Sequence, residues 1–447
     1  MMQRILFIEL LGGIGDVVIA LPAIHALARS HAAAELTVLT FAPGGELLES
    51  DPLIHRVVYA NPGEARQAVD HLLAHDRFDL IVSDTNYDGI AEAIQQSGTP
   101  RVVTNLWQSP PPNQRVGDRF LSILHAETLI LADSSSAPQL HLTQQERQDA
   151  RSAFGSASRP LVFLCPDAGM AIKRWAPDRF VTVGKALQQR FNATIVVPIG
   201  ADAEEAAAIV DAIGGTARLW QRGSLRQFAS AIAHADLAIA ADTGPARIAA
   251  ALNVPTLTLF GPSWHERYGQ AAPHINLQGA PECGDRHIAN FTDQSCWYGG
   301  TCPLPQWTTC LDDLSPETVL AAAETLLKPK ESGTDRKELK RQTSSPELPN
   351  SPTSWHSVRN LLVLRLDNIG DVLMTSPALR ALRENLPDAR ITLMASPAGA
   401  LTAPLLPWVD EVLPWRVLWQ DLGRLPFDPA REWDLVKTLH DRRFDAA

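Results

Sequence analysis

The chain has 447 residues, 45% of them hydrophobic and 20% charged, which is the composition of a folded protein with room for two or three packed domains. A formal net charge of −11 argues against a nucleic-acid-binding protein, which needs a clustered basic face. No apolar run of about 18 residues is free of charges, so we expect no membrane-spanning helix and a cytoplasmic location.

The first part of the chain alternates between strand-like and helix-like segments. The predicted strands are RILFIELL, ELTVLTF, HRVVYA, FDLIVSD and RVVTNL. Helices are predicted from about residue 14 to 31 and over 64–75. Because alternating strands and helices form right-handed βαβ units, residues 1–155 are predicted to be a Rossmann-like α/β domain with a doubly wound parallel sheet.

The same alternation begins again after a segment rich in Pro and Ser. Five further strands are predicted, in PLVFLCP, ATIVVPIG, ARLWQ, ADLAIAAD and VPTLTLFG. The predicted helices lie near residues 177–191, 202–213, 224–234 and 244–253, with a last one in SPETVLAAAETLL. Residues 156–327 are therefore predicted to be a second Rossmann-like domain.

Residues 328–357 differ in composition from both domains. Leu339, Leu348 and Trp355 are the apolar residues of this segment. So few apolar side chains cannot bury enough surface to offset the entropy of ordering, and the segment is predicted to be a disordered linker.

A second copy of the N-terminal segment follows this linker. With a constant offset of 355, residues 6–27 match residues 361–382 at ten of 22 positions, and the register extends without gaps to FDL (78–80) against WDL (433–435). Residues 358–447 are therefore predicted to be a partial repeat of the N-terminal domain. Shared ancestry is the economical explanation.

The first turn, LGGIGD, could bind a ligand at the carboxyl end of a parallel strand. A dinucleotide fingerprint needs a third glycine, but Val18 stands there, so an NAD-dependent oxidoreductase is a weak alternative. Asp16 follows at the start of the helix, where it could simply cap or neutralise the helix end. Both copies keep Ile-Gly-Asp while the preceding Gly-Gly changes to Asp-Asn, which favours a chemical role for Asp16.

Two later loops have the composition of an anion site. In CPDAGMAIKRW, Lys173 and Arg174 lie between a strand and a helix, where cations suit a diphosphate; the alternative is a solvated basic pair. In ADTGPARIAAA, a strand leads through Asp242, Thr243, Gly244 and Pro245 into a helix start whose amides and dipole attract anions. A structural cap would explain Asp242 alone.

The cysteines outside the predicted strands are Cys283, Cys296, Cys302 and Cys310. A zinc site is possible, but no Cys-x-x-Cys pair is present and their spacing favours reduced thiols. No metal and no cofactor are predicted.

Together, Ile-Gly-Asp-Val-Val with Pro-Ala, then Lys-Arg-Trp, then Asp-Thr-Gly-Pro with Leu-Phe-Gly-Pro-Ser, resemble glycosyltransferase family 9, the ADP-heptose:lipopolysaccharide heptosyltransferases. The resemblance covers residues 4–328 and, for the first half-domain, 359–447. It implies a GT-B fold, two Rossmann-like domains facing a cleft, and metal-independent inverting transfer from ADP-heptose to a glycan or lipid-linked saccharide. A lipid-linked acceptor implies contact with the cytoplasmic face of the inner membrane.

The resemblance also implies roles for single residues. Asp16 matches the catalytic base, and Lys173 matches the lysine that binds the donor phosphates and stabilises the departing ADP. The remaining donor-binding residues would be Gly15, Arg174, Asp242, Thr243, Gly244, Pro245, Phe260, Gly261 and Pro262. Many members have an Arg six residues before the catalytic Asp; the second copy has Arg365 there and the first has Leu10. His265 receives no role.

Two other functions stay open at this stage. A GT-B-type nucleotide-sugar epimerase would release a changed sugar without an acceptor. A non-catalytic sugar-nucleotide-binding protein is suggested by the incomplete second copy and by Leu10. Such a protein would bind the donor tightly without turnover.

Overall fold

The structure is a computed structural model, and it describes residues 2–131, 137–154, 157–221, 223–305, 307–328, 358–366, 369–416 and 428–446. The chain forms two compact units, one from Met1 to Ser332 and one from Gly333 to Ala447. None of the described helices is long and apolar enough to cross a bilayer. Of the predicted linker, residues 328–357, all but Lys328 lie outside the described residues.

The first lobe of the first unit is built on a five-stranded parallel sheet with the order β3-β2-β1-β4-β5. Its strands are β1 (Arg4–Ile8), β2 (Glu35–Phe41), β3 (Arg56–Ala60), β4 (Leu80–Ser83) and β5 (Arg101–Val103). Its helices are α1 (Ile14–Ser30), α2 (Ala65–His75), α3 (Ile90–Gln96) and α4 (Val116–Ala126). Strands β1, β2 and β4 are almost wholly buried, as expected for a sheet covered on both faces.

The second lobe has a six-stranded parallel sheet with the order β11-β10-β9-β6-β7-β8. Its strands are β6 (Leu161–Cys165), β7 (Thr194–Pro198), β8 (Arg218–Trp220), β9 (Leu237–Ala241), β10 (Thr256–Phe260) and β11 (Ile275–Gln278). The helices after α4 are α5 (Gln144–Phe154), α6 (Pro177–Phe191), α7 (Ala203–Ile213), α8 (Leu225–Ile232), α9 (Gly244–Ala251), α10 (His265–Tyr268), α11 (Ser295–Gly299) and α12 (Pro316–Leu327). The sequence analysis did not predict β11, α4, α5, α10 or α11.

The two lobes share one apolar core. Val18 and Ile19 on α1 belong to the same cluster of buried side chains as Ala246 and Ala249 on α9. The two sheets therefore lie in one compact unit, with α1 and α9 packed against each other between them.

Helix α5 packs on the second lobe, although the predicted domain boundary placed it in the first. Ser230 Oγ on α8 donates to the carbonyl of Glu146, and the ring of Phe154 stacks on Trp220 with centroids 5.2 Å apart. The apolar face of α5 finds its partners on α8 and β8, so the chain crosses between the lobes before residue 144.

The second unit has a three-stranded parallel sheet with the order β12-β13-β14. Its strands are β12 (Asn360–Arg365), β13 (Arg390–Ala395) and β14 (Glu411–Pro414), and its helices are α13 (Ile369–Met374), α14 (Ser376–Asn385), α15 (Pro397–Ala400) and α16 (Pro429–Arg442). The order of these elements repeats the first half of the first lobe.

The gap-free register between the two copies is wrong at both ends. Ile8 pairs with Leu39 in the first sheet, and Leu364 pairs with Met394 in the third, so Arg365 matches Glu9 and not Leu10. The first copy has one extra residue in the turn that follows.

At the other end, Asp79 accepts from the backbone N–H groups of residues 3 and 4, and Asp445 accepts from those of residues 359 and 360. Asp445 therefore replaces Asp434, the predicted match, which lies inside α16.

Candidate active site

The carboxyl ends of β1 and β9 point into one cleft between the lobes, and the first turns of α1 and α9 meet there. Ile14 begins α1 and Gly244 begins α9. A Cβ added to Gly244 would lie 2.9 Å from Ile14 Cγ2, which is closer than side chains normally approach. Glycine is therefore required at residue 244 for the two helix starts to meet.

Asp16 lies in the first turn of α1 and faces this cleft. Gly13 is the N-cap residue of α1, and a glycine has no side chain with which to cap the helix. Loss of water around the Asp16 carboxyl raises its pKa, and the positive charges of Arg247 and Lys173 act in the opposite direction. A carboxylate held beside cations in a cleft is suited to accept a proton from a bound hydroxyl group.

Asp242 is buried at the end of β9 and is the centre of a charged network. Its carboxylate accepts from Lys173 Nζ at 3.1 Å, from Arg247 Nη2 at 2.7 Å and from Ser263 Oγ. Burial would raise the pKa of Asp242, but the charges of Lys173 and Arg247 outweigh it and lower the pKa. The carboxylate thus fixes two cations at the start of α9, and the helix-cap interpretation of Asp242 is wrong.

Lys173 ends a short 3₁₀ turn, Ala171–Lys173, that follows β6. Besides its ion pair, Nζ donates to the carbonyl of Asp242 at 3.3 Å and lies 5.0 Å from the ring centroid of Trp297. The side chain is mostly buried, so an anion that reaches it would meet little competition from water.

Two adjoining cavities form the cleft. The first has a volume of about 630 Å³ and is lined by Leu11, Gly13, Ile14, Gly15, Asp16, Ile19, Trp107, Gly169, Met170, Lys173, Asp242, Thr243, Gly244, Arg247, Ser263, Tyr268, Phe291 and Trp297. The second, of about 580 Å³, shares Ile14, Gly169, Thr243 and Gly244 with the first and extends past Asp167, Gly200, Trp220, Ser224, Pro245 and Phe228. An extended ligand could occupy both and pass over the start of α9.

Most of the predicted site residues meet in this cleft. Gly15, Asp16, Lys173, Asp242, Thr243 and Gly244 line the first cavity, and Pro245 lines the second. Asp16, the predicted base from the first lobe, and Lys173, the predicted phosphate-binding lysine from the second, therefore line the same cavity.

Four predicted donor-binding residues do not line either cavity. The Arg174 guanidinium turns towards acidic partners and bonds to Asp167 and Glu205. Phe260 is completely buried in the shared core. Gly261 and Pro262 pack beneath the loops that follow, where the carbonyl of Pro262 accepts from Gln294. In the loop after β10 the cavity lining begins at Ser263, and donor binding by Arg174, Phe260, Gly261 and Pro262 stays a prediction.

Two buried acids beneath the cleft were missed. Ile8 pairs with Ser83, so Glu9 and Asp84 follow side by side at the strand ends. Burial and, to a smaller extent, the charge of Asp16 raise the pKa of Glu9 to about 7, against a hydrogen bond from Thr40 Oγ1 at 2.7 Å. Burial and then the charge of Glu9 raise the pKa of Asp84 well above its ordinary value.

Other residues of the site were missed for a similar reason. Arg247, Ser263, Tyr268 and Trp297 lie outside the motifs and on elements that carry no special pattern. One signal was available: Glu9 is the single charged residue within the apolar run ILFIELL. A charge in a buried strand has to be paired or neutral, which marks it as unusual.

Within the described ranges, no group of three or more His, Cys, Asp or Glu residues is arranged to hold a metal ion. Cys283, Cys296 and Cys302 are partly buried, Cys310 is buried, and all four are free thiols.

Comparison with known proteins gives one consistent family. Residues 107–289 match the sequence model of glycosyltransferase family 9 (heptosyltransferase). A lipopolysaccharide heptosyltransferase 3 from Escherichia coli is 24% identical over 340 residues, covering 68% of this chain and 97% of that protein. A lipopolysaccharide heptosyltransferase 2 from Salmonella typhimurium is 29% identical over 133 residues, covering 28% of this chain and 38% of that protein.

Solved structures show the same fold. A glycosyltransferase family 9 structure from Veillonella parvula superposes with a TM-score of 0.61 at 19% identity, covering 73% of this chain and 97% of that one. The E. coli ADP-heptose lps heptosyltransferase II superposes with a TM-score of 0.55 at 21% identity, covering 73% and 98%. The fold of the first unit is therefore GT-B, with two Rossmann-like lobes facing a cleft.

Proposed function

Starting from the place of this chain in glycosyltransferase family 9, we propose that it transfers heptose from ADP-heptose to a lipopolysaccharide-core-like or other glycan acceptor, with inversion and without a metal. The observation that carries this proposal is the shared cavity of Asp16 and Lys173. A base from one lobe and a cation from the other lie on the walls of one space, as transfer between two bound substrates requires.

In this proposal the donor nucleotide occupies the second cavity and its diphosphate lies at the start of α9. The backbone of Gly244 in the first turn of α9 and the positive helix end favour an anion there. Lys173 would exchange part of its pairing with Asp242 for the phosphates and would stabilise the departing ADP.

The sugar would then lie in the first cavity, with its anomeric carbon facing Asp16. The Asp16 carboxylate accepts the proton of the acceptor hydroxyl as that oxygen attacks, and ADP leaves from the opposite face. A positioned base typically contributes about 10²–10⁴-fold to such a step. A lipid-linked acceptor would bring the protein to a membrane surface.

The test combines the purified chain with ADP-heptose and a core oligosaccharide that lacks heptose, and measures ADP release and the mass gain of the acceptor. UDP- and GDP-sugars serve as controls for the donor. We expect transfer from ADP-heptose. An Asp16→Asn variant should still bind the donor, but its transfer rate should be lower by about 100-fold or more. Equal transfer by variant and parent would contradict the assignment of Asp16. Release of a changed sugar without acceptor would indicate an epimerase, and tight binding without turnover would indicate a non-catalytic protein.

A further inference from the structure

Arg247 of α9 crosses to the other lobe and lies against the start of α1. A Cβ added to Gly15 would lie 2.9 Å from Arg247 Cδ and 3.0 Å from its Nε, so this side chain rests on bare backbone beside Asp16. Only 11% of the side chain is exposed. The contact places Arg247 of the second lobe against the residue that precedes Asp16, and both side chains line the first cavity.

The second lobe holds this guanidinium in place. Its Nη2 donates to Asp242 Oδ1 at 2.7 Å, and its Nη1 donates to the carbonyl of Tyr268 at 2.8 Å. Because two of its nitrogens are hydrogen-bonded within the second lobe, the Arg247 guanidinium is fixed in position. Its charge can therefore act on Asp16 without a direct bond between them.

The charges around Asp16 divide according to lobe. From its own lobe, Asp16 interacts with the buried carboxyl groups of Glu9 and Asp84, and its charge contributes to raising the pKa of both. From the second lobe, Arg247 and Lys173 favour the charge on Asp16, while Asp242 opposes it. Burial and, more weakly, the charge of Asp16 raise the pKa of the Tyr268 hydroxyl. Among the described residues, the cations that act on Asp16 therefore come from the opposite lobe, and Arg247 has the larger effect of the two.

We propose that Arg247 is a positioning residue that keeps the Asp16 carboxyl group in its charged form. The base of the first lobe would then depend on a cation of the second lobe for its ability to accept a proton. The proposal rests on the proposed function in taking Asp16 as the base. It adds that the base and the donor loop are coupled, because Arg247 is anchored on Asp242 of that loop.

The direct test is a titration of the Asp16 carboxyl by ¹³C NMR in the full-length protein, with the signal assigned by its loss in Asp16→Asn. Arg247→Met should move the midpoint up by about one to three pH units, because an opposite charge at this range lowers a carboxyl pKa by about that amount. Arg247→Lys, which keeps the charge, should restore most of the shift. Gly15→Ala, which displaces the Arg247 side chain without removing it, should shift the midpoint in the same direction.

Arg179→Met is the matched control. Arg179 is another partly buried arginine of the second lobe, and its Nη1 donates to the carbonyls of Asp312 and Leu314 at 2.8 and 2.9 Å. Its loss should leave the Asp16 midpoint unchanged. A folded Arg247→Met protein with the parental midpoint would overturn the proposal, and so would a parental midpoint in Gly15→Ala if Arg247→Met does not fold.

Transfer kinetics give the second measurement. The acid limb of kcat/KM in Arg247→Met should move to higher pH by the same amount as the NMR midpoint, with the lost activity recovered on the alkaline side. A purely structural defect would lower activity at every pH. If the parent shows no transfer at all, the proposed function fails, but the NMR titration still decides the role of Arg247.

Discussion

At the scale of single residues, the bare backbone of Gly244 determines how closely the helix starts of the two lobes approach. We predict that Gly244→Ala lowers kcat/KM for transfer about tenfold or more, because the new methyl would meet Ile14 Cγ2 at 2.9 Å and Cβ at 3.1 Å and separate the reacting groups. The measurement is steady-state transfer together with thermal unfolding.

Gly284→Ala is the control for this change, because a Cβ there would meet nothing within 4 Å. It should behave as the parent in both measurements. Parental kinetics in Gly244→Ala would mean that the gap between the lobes tolerates a methyl group, and that the close approach has no part in the reaction.

Glu9 predicts a pH dependence of stability. Its pKa is about 7 in the folded protein against 4.5 in the unfolded chain, so the folded state keeps a proton that the unfolded state loses as the pH rises. The folded state is therefore progressively destabilised between pH 4.5 and 7, by on the order of 3 kcal/mol in total, and the loss is constant above that range. Glu9→Gln should remove its part of this dependence, as measured by urea unfolding across the range. The exposed Glu204→Gln should keep the parental slope, and a parallel curve for Glu9→Gln would contradict the prediction.

At this scale the sequence predicts residues that repeat or belong to motifs, and misses those defined by packing. Asp242 directly follows β9, and Asp16 and Lys173 lie in the first helical turns after β1 and β6, where parallel sheets place their ligand-binding residues. Arg247 could not be predicted, because a cation in a helix usually points to solvent and its direction here depends on the other lobe. Phe260 is buried because the core takes up this large aromatic side chain at the end of a strand, which the motif alone does not reveal.

At the scale of elements, one arginine joins α8 to the first lobe and to α5. Arg226 donates to the carbonyls of Leu47 at 3.3 Å and Glu49 at 2.6 Å, and its Nη2 bonds to Glu146 Oε2 at 2.7 Å. We predict that Arg226→Met lowers the free energy of unfolding by about 3–5 kcal/mol, because it leaves partly buried acceptors without a donor. Chemical unfolding at pH 7 measures it.

Glu146, the acidic partner of Arg226, predicts how this effect on the free energy of unfolding changes at low pH. The hydrogen bonds from Arg226 hold the pKa of Glu146 at about 2, so its contribution is complete above pH 4.5 and is lost as the pH falls towards 2. The difference between parent and Arg226→Met should therefore shrink on acidification. Arg190→Met, which removes a more exposed pair with Glu324, should change stability by less than about 1 kcal/mol. Equal effects of the two variants would contradict this ranking.

Strands and long helices were predicted closely because their apolar patterns are local. The bounds of β2 and of α6 agree with the predicted segments to the residue. The error on α5 has a physical cause: its sequence is polar except for a few side chains such as Ala150 and Phe154, and nothing local states which lobe those side chains will meet.

At the scale of the whole molecule, the alternating pattern predicts two Rossmann-like lobes but not the way they face each other. That arrangement depends on small residues along the contact, where Gly15 and Gly244 admit Arg247 and Ile14. The repeat was visible as sequence identity. In the structure, however, its register shifts by one residue in the first turn, and by eleven residues further along, where Asp445 and not Asp434 matches Asp79. Insertions in loops leave strand pairing intact, so only the pairing shows them.

The chain contains Ile-Gly-Asp twice, and the two copies differ in what surrounds them. Asp16 shares a cavity with Lys173 and Asp242, whereas the part of the second unit that the structure describes, from 358 to 446, has a single sheet of three strands and no second lobe. We predict that Asp16→Asn lowers transfer by about 100-fold or more while Asp371→Asn, the same change at the matching residue, leaves it at the parental rate. Both variants are made in the full chain, and transfer and donor affinity are measured side by side. Comparable losses from both would show that the second copy takes part in catalysis, and the proposal of a single site in the first unit would then be wrong.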